Sequence, residues 1–96
     1  FIQEHKEFVL AKQLLRSGTA VGALIKEAEH AQSKADFLNK MNVALKEANE
    51  TEYWLMLLRD SGFLSEEEFI SIHTDSQELI KLLASIVKST KKTLEK

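Results

Sequence analysis

The sequence predicts an all-α fold, an antiparallel up-down helical bundle. The chain contains no proline and only three glycines in 96 residues, so almost nothing interrupts long helices. Apolar residues recur at helical spacing along nearly the whole chain. Two short segments break this pattern, and they divide a single domain, residues 1–96, into three long helices.

The first helix is predicted over residues 6–31, although it has to pass through SGTAVG at residues 17–22. A turn there would normally shift the phase of the apolar pattern. Leu14, Val21 and Ala28 instead follow one another at intervals of seven residues, which keeps them on one side of a continuous helix. We therefore expect Ser17 to Ala23 to be helical.

Gly18 and Gly22 lie about one turn apart on an apolar stripe that also contains Phe8, Ala11 and Leu15, and we expect this stripe to face inward. Each glycine costs a helix roughly 1 kcal/mol relative to alanine, so its presence needs a reason. Close helix packing supplies one, with packing inside the chain favoured over a subunit contact or a ligand cradle. A phosphate-binding loop is not expected, because no lysine and hydroxyl follow the glycines in the Walker pattern.

The second and third helices are predicted over residues 34–61 and 65–94 because both have start signals. Ser33 followed by Asp36 is typical of an N-cap, and Ser65 with Glu68 forms a capping box. Gly62 suits the left-handed position after the second helix. The predicted core stripes are Phe37, Met41, Ala44, Ala48, Thr51, Leu55 and Leu58 in the second helix and Phe69, Ile72, Ser76, Leu79, Leu83, Ile86 and Thr90 in the third.

Composition restricts the function classes. The chain has no cysteine, which excludes disulfides and thiolate metal sites, and a formal net charge of -2, which argues against a surface built wholly for nucleic acid. No apolar run approaches the roughly 20 residues of a membrane span. We therefore expect a cytoplasmic protein with no membrane contact.

Basic residues cluster without matching acids in two places, and these are the candidate nucleic-acid or anion-binding residues. The first helix contributes Lys12, Arg16 and Lys26, and the end of the third contributes Lys88, Lys91 and Lys92. The alternative for the last three is that they complement the dipole at the helix C-terminus.

The sequence contains no convincing catalytic group, and no cofactor is expected. Glu27 and His30 have the Glu-x-x-His spacing of a bundle metal site, so a metal-binding or catalytic bundle is the alternative function. A second such motif is missing. Tyr53 and Trp54 lie beside the second apolar stripe and are predicted to form a core or subunit contact.

The runs LLRSGTAVGALIKEA, QSKADFLNKMNVALKEANETEYWLMLL and GFLSEEEF resemble the four-helix-bundle proteins encoded in intervening sequences of bacterial 23S rRNA genes, also called S23 ribosomal proteins. The resemblance covers nearly the whole chain. It implies a further N-terminal helix, largely missing here, before Phe1. Ala20 and Leu24 depart from the family, which usually has a small polar residue and an asparagine there.

That family is in turn similar to the accessory variability proteins of diversity-generating retroelements, pentameric rings that bind nucleic acid and a reverse transcriptase. The resemblance implies no enzymatic activity. The resulting hypothesis is a non-enzymatic protein that forms a homo-oligomeric ring, a pentamer. It would act as a binding or scaffolding subunit for RNA, DNA or a protein partner.

Overall fold

The computed structural model describes residues 2–95, and these residues form three helices and no strand. Helix α1 spans Ile2–Ala28, α2 spans Lys34–Asp60 and α3 spans Glu66–Glu95. The all-α prediction is confirmed, and α1 passes through Ser17–Ala23 without a break. Helix α1 begins earlier than predicted and ends three residues sooner, because the N–H groups of His30 and Ala31 bond three residues back and close a tight turn.

The predicted caps hold the starts of α2 and α3. The Ser33 hydroxyl accepts the Asp36 N–H at 3.1 Å. Ser65 and Glu68 form the reciprocal capping box, in which the Ser65 N–H donates to Glu68 Oε1 at 2.9 Å and the Glu68 N–H donates to Ser65 Oγ at 3.0 Å. Gly62 after α2 has φ of 83°, a left-handed conformation that favours glycine.

Helix α2 is the middle element of the fold. Helices α1 and α3 each pack along it, while the described backbones of α1 and α3 do not approach each other. The radius of gyration is 15.6 Å. A compact, roughly spherical chain of this length would have about 12 to 13 Å. The difference reflects the length of the helices, because the fold measures 55 × 21 × 16 Å.

The hydrophobic core is best formed where the end of α1, the start of α2 and the end of α3 meet. Its buried members are Val21, Ala28, Met41, Ala44, Ala48, Leu83 and Val87. Leu10, Leu55, Leu58 and Phe69 are buried toward the other end of the helices. The three helices therefore enclose one end of the molecule more completely than the other.

Helix α1 has two apolar sides, and the prediction selected the wrong one as its inward side. Leu10, Ser17, Val21 and Ala28 are buried against the rest of the chain. The stripe that contains Phe8, Ala11, Leu15, Gly18 and Gly22 is exposed. Ser17 explains the error, because its hydroxyl makes the truly buried stripe look less apolar.

Candidate functional site

An apolar groove runs over α2 between α1 and α3, and we call it the α1–α3 groove. Its central part is lined by residues of all three helices: Gly18, Val21, Ala48, Thr51, Leu55, Ile72, Asp75, Ser76 and Leu79. The groove continues along the outer side of α1 past Ala11 and Leu15 to Phe8 and Lys12. It exists because the backbones of α1 and α3 both lie along α2 and do not approach each other closely.

Large apolar side chains along this groove are in water in the single chain. Phe8 is 63% exposed, Leu15 is 67% exposed and Ile72 is 44% exposed. A contiguous apolar surface of this kind, bordered by polar groups, marks an interaction site in soluble proteins. The α1–α3 groove is therefore a candidate docking surface.

The close packing predicted at Gly18 and Gly22 is not formed inside this chain. Both glycines are exposed, and a Cβ atom built on either one would have no heavy atom within 4 Å outside its own helix backbone. Both lie on the exposed stripe of α1, and Gly18 borders the groove. The subunit contact, which ranked second as an explanation, is compatible with this position.

A polar cluster joins α1 to α2 beside the groove. The Arg16 guanidinium donates to Glu50 and lies 3.5 Å from a Glu47 carboxylate oxygen, while Trp54 Nε1 donates to the same Glu50 carboxylate at 3.2 Å. The hydrogen bond from Trp54, followed by the one from Arg16, lowers the pKa of Glu50 below its usual value. Arg16 was predicted as a cation without matching acids, and this prediction is wrong.

Ser17 is fully buried at the same α1–α2 contact. Its hydroxyl donates a hydrogen bond to the Leu14 carbonyl at 3.2 Å and accepts one from the Thr51 hydroxyl at 2.9 Å. These hydrogen bonds satisfy the buried hydroxyl and link the two helices. Neither partner is a base that would activate Ser17, so the pair has a structural role.

The two predicted aromatic contacts have different environments. Tyr53 is 56% exposed, whereas Trp54 is partly buried. Trp54 donates a hydrogen bond to Glu50 and makes an edge-on contact with Tyr53 at a ring-centroid distance of 5.1 Å. Tyr53 therefore does not belong to the core of this chain. Its exposed ring stays available for the predicted subunit contact.

The remaining candidate basic residues differ in their surroundings. Lys26 lies 3.6 Å from a Glu29 carboxylate oxygen, so it also has a matching acid, contrary to the prediction. Lys12 lies 6.0 Å from the Phe8 ring centroid at the end of the groove. Lys88, Lys91 and Lys92 are exposed on α3, and none pairs with an acidic side chain within residues 2–95.

The metal-site alternative finds little support in the geometry. Glu27 and His30 are both exposed, and residues 2–95 contain no group of three or more His, Asp or Glu side chains placed to hold a metal ion. Nε2 of His73 lies 3.1 Å from a Glu52 carboxylate oxygen, and the His73 ring stacks on Phe69 with a centroid distance of 4.7 Å. This contact joins α2 to α3.

We expected no apolar run long enough to span a membrane, and helix α1 shows that this expectation is wrong. By length and composition alone, its segment Gln3–Ala28 could cross a membrane. The same composition results when a helix has two apolar sides, one packed on α2 and one along the groove. Leu10, Val21 and Ala28 of this segment are buried in the single chain, whereas Phe8, Val9 and Leu15 are exposed.

Fold and groove together define an all-α chain with a candidate docking surface and, among the described residues, no assembled catalytic centre. The chain belongs to the 23S rRNA-intervening sequence protein family, whose family model matches residues 1–85. The predicted membership is confirmed.

A solved structure supports the same assignment. The chain is similar to the crystal structure of a protein with unknown function from the S23 ribosomal protein family of Bacteroides thetaiotaomicron VPI-5482, with 62% sequence identity and a TM-score of 0.83. The match covers 88% of this chain and 76% of that chain. No curated protein matches the chain. The predicted relation to the accessory variability proteins stays a prediction.

Proposed function

We propose that this protein is a non-enzymatic helical-bundle subunit that assembles with copies of itself into a ring, a pentamer, and serves as a scaffold for a bound partner. The observation that carries the proposal is the exposed α1–α3 groove. Phe8, Leu15 and Ile72 each release roughly 1.5 to 3 kcal/mol when a side chain of their kind passes from water to full burial. Because the three residues are 63%, 67% and 44% exposed in the single chain, an assembly that covers the groove gains about half of this free energy per side chain.

The arrangement within the subunit is proposed to be an antiparallel up-down bundle of the four-helix type. Ser17 of α1 lies against Thr51 of α2, while Ala28, further along α1, shares a cluster with Met41, which is earlier in α2. Residue numbers that rise in one helix as they fall in its neighbour support antiparallel packing. A helix of a neighbouring subunit would cover the groove as the fourth helix.

The proposed cargo of the ring is RNA or another nucleic acid, and a protein partner is the alternative. Unpaired lysines near the end of α3 support the nucleic-acid choice, because phosphate contacts dominate such binding. Repetition around a ring would strengthen a modest site through avidity. We place the protein in the cytoplasm. We propose that a helix, and not lipid, packs on the exposed side of α1. Arg16, near the middle of α1, forms ion pairs with two glutamates of α2, and such pairs favour packing against protein.

Two isoleucines on α3 provide a matched test of assembly. Ile72 is 44% exposed and borders the groove, whereas Ile70 is 56% exposed and lies outside the groove lining. Sedimentation velocity over a micromolar concentration series should show that Ile72→Glu dissociates the assembly and that Ile70→Glu does not. Equal behaviour of the two variants, or a wild-type monomer throughout the series, would contradict the proposal.

A further inference from the structure

Charge divides α3 along its length. Residues 66–78 contain five acidic side chains and no lysine or arginine, whereas residues 79–95 contain four lysines and one glutamate. The helix dipole favours acids in the first turn and lysines in the last, and its effect falls off within those turns. Of these lysines, Lys92 lies in the last turn, but Lys81 and Lys88 lie well before it. The dipole therefore does not explain the whole basic half.

The lysines of this half line up along one side of α3. Lys81, Lys88 and Lys92 follow at intervals of seven and four residues, which places them on one side of a helix over about 16 Å, and Lys91 lies beside them. All four side chains are exposed, and none pairs with an acid within the described part of the chain. We call these four residues the basic face of α3.

The neighbours of the basic face indicate the kind of anion that fits. Gln77, Ala84 and Ser85 lie on or beside the same side of the helix, and all three are exposed and small or polar. Glu95 is the acid at the end of this side, and it forms no ion pair with the lysines within the described residues.

A helix that lies on a membrane surface needs an apolar face beside its basic one. Most apolar residues of α3 instead pack on α2 or border the groove. The exposed Ile70, Leu82 and Leu94 are 12 residues apart, so they lie on different sides of the helix and form no apolar face. This surface fits a phosphate backbone in water better than a lipid bilayer.

Most of the basic face also lies outside the segment shared with the family. The family model matches residues 1–85, and Lys88, Lys91 and Lys92 follow it. The α1–α3 groove, in contrast, is lined by residues within the matched segment. The two surfaces are therefore separate both on the molecule and along the chain.

We propose that the basic face of α3 binds the phosphate backbone of nucleic acid independently of base sequence, and that it does so without taking part in assembly through the groove. The choice of nucleic acid rests on the proposed function. The inference removes Arg16 and Lys26 from the contact, because both already face carboxylates. It adds Lys81, which periodicity places in line with the tail lysines.

The test compares two triple variants that lose equal charge. Lys88→Gln/Lys91→Gln/Lys92→Gln removes most of the basic face, and Lys6→Gln/Lys26→Gln/Lys46→Gln removes three exposed lysines of α1 and α2 that do not line the groove. Fluorescence anisotropy with labelled duplex DNA and single-stranded RNA is measured over a salt series. Because each neutralised phosphate contributes about -0.9 to the salt slope on duplex DNA, the α3 variant should flatten that slope by up to about 2.7, and the control should leave it unchanged.

Several results would overturn the inference. These are equal losses in both variants, no wild-type binding at low salt, or binding to anionic phospholipid vesicles without binding to nucleic acid. Circular dichroism verifies that both variants are folded, and sedimentation measures their assembly. Loss of assembly in the α3 variant would show that the lysines bind another subunit. A wild-type monomer that binds nucleic acid through the basic face would refute the ring and leave this inference standing.

Discussion

Substitutions at Gly22 distinguish the stability of the single chain from that of its assembly. A Cβ atom at Gly22 would contact nothing within 4 Å, so alanine adds no clash and should recover the roughly 1 kcal/mol of helix propensity that glycine loses. For a domain of this size, that gain raises the Tm by about 4 to 8 °C. We expect this increase for Gly22→Ala when circular dichroism follows thermal unfolding under monomeric conditions.

Leucine at the same position tests whether a helix docks over Gly22 in the assembly. Its helix propensity is close to that of alanine, so Gly22→Leu should also stabilise the single chain. Under a docked helix, the added side chain would overpack the contact and destabilise the assembly by about 1 to 3 kcal/mol, which sedimentation would detect as weaker association.

Gly62→Ala is the control, because its φ of 83° strains any other residue and should lower the Tm. A lower monomer Tm for Gly22→Ala would refute the open environment of Gly22. Unchanged association of Gly22→Leu would refute a helix docked over it.

Three further predictions concern the single chain. Leu55→Ala, at a fully buried position, should lower the free energy of unfolding in urea by about 2 to 5 kcal/mol, and a loss below about 1 kcal/mol would contradict its burial. The Ser65 N–H lowers the pKa of Glu68 below 4.5, so the carboxylate stabilises the fold above its unfolded pKa and loses this contribution as the pH falls through the folded value. The Tm difference between wild type and Glu68→Gln should therefore shrink in acid, and a constant difference from neutral pH to pH about 3 would contradict the linkage. Finally, Arg16→Gln should raise the pKa of Glu50 toward its usual value in an NMR titration, because a donor is lost, and an unchanged pKa would exclude the contact.

Local signals predicted the secondary structure well. The Ser33 and Ser65 caps and Gly62 depend on contacts within a few residues, and the sequence contains all the groups involved. The continuity of α1 through SGTAVG also followed from a local property, the unchanged phase of its apolar residues. These parts of the fold need no information about which helices meet.

The sequence pattern did not predict which residues of different helices contact each other. Arg16 meets Glu47 and Glu50, which are 31 and 34 residues away, and only the register of α1 on α2 brings them together. The inward side of α1 was misassigned for a related reason. Both sides are apolar, so periodicity alone does not tell which side packs on α2 and which borders the groove. The exposed glycines of the candidate site were consequently placed inside the chain.

The mass of the assembly tests the central claim most directly. Native mass spectrometry of the protein at micromolar concentration should give a mass of five subunits, each 10.9 kDa for the chain described here. Ile72→Glu should reduce this mass to that of one subunit, and Ile70→Glu should preserve it. A monomeric wild type would contradict assembly through the α1–α3 groove, and a dimer would contradict the pentameric ring.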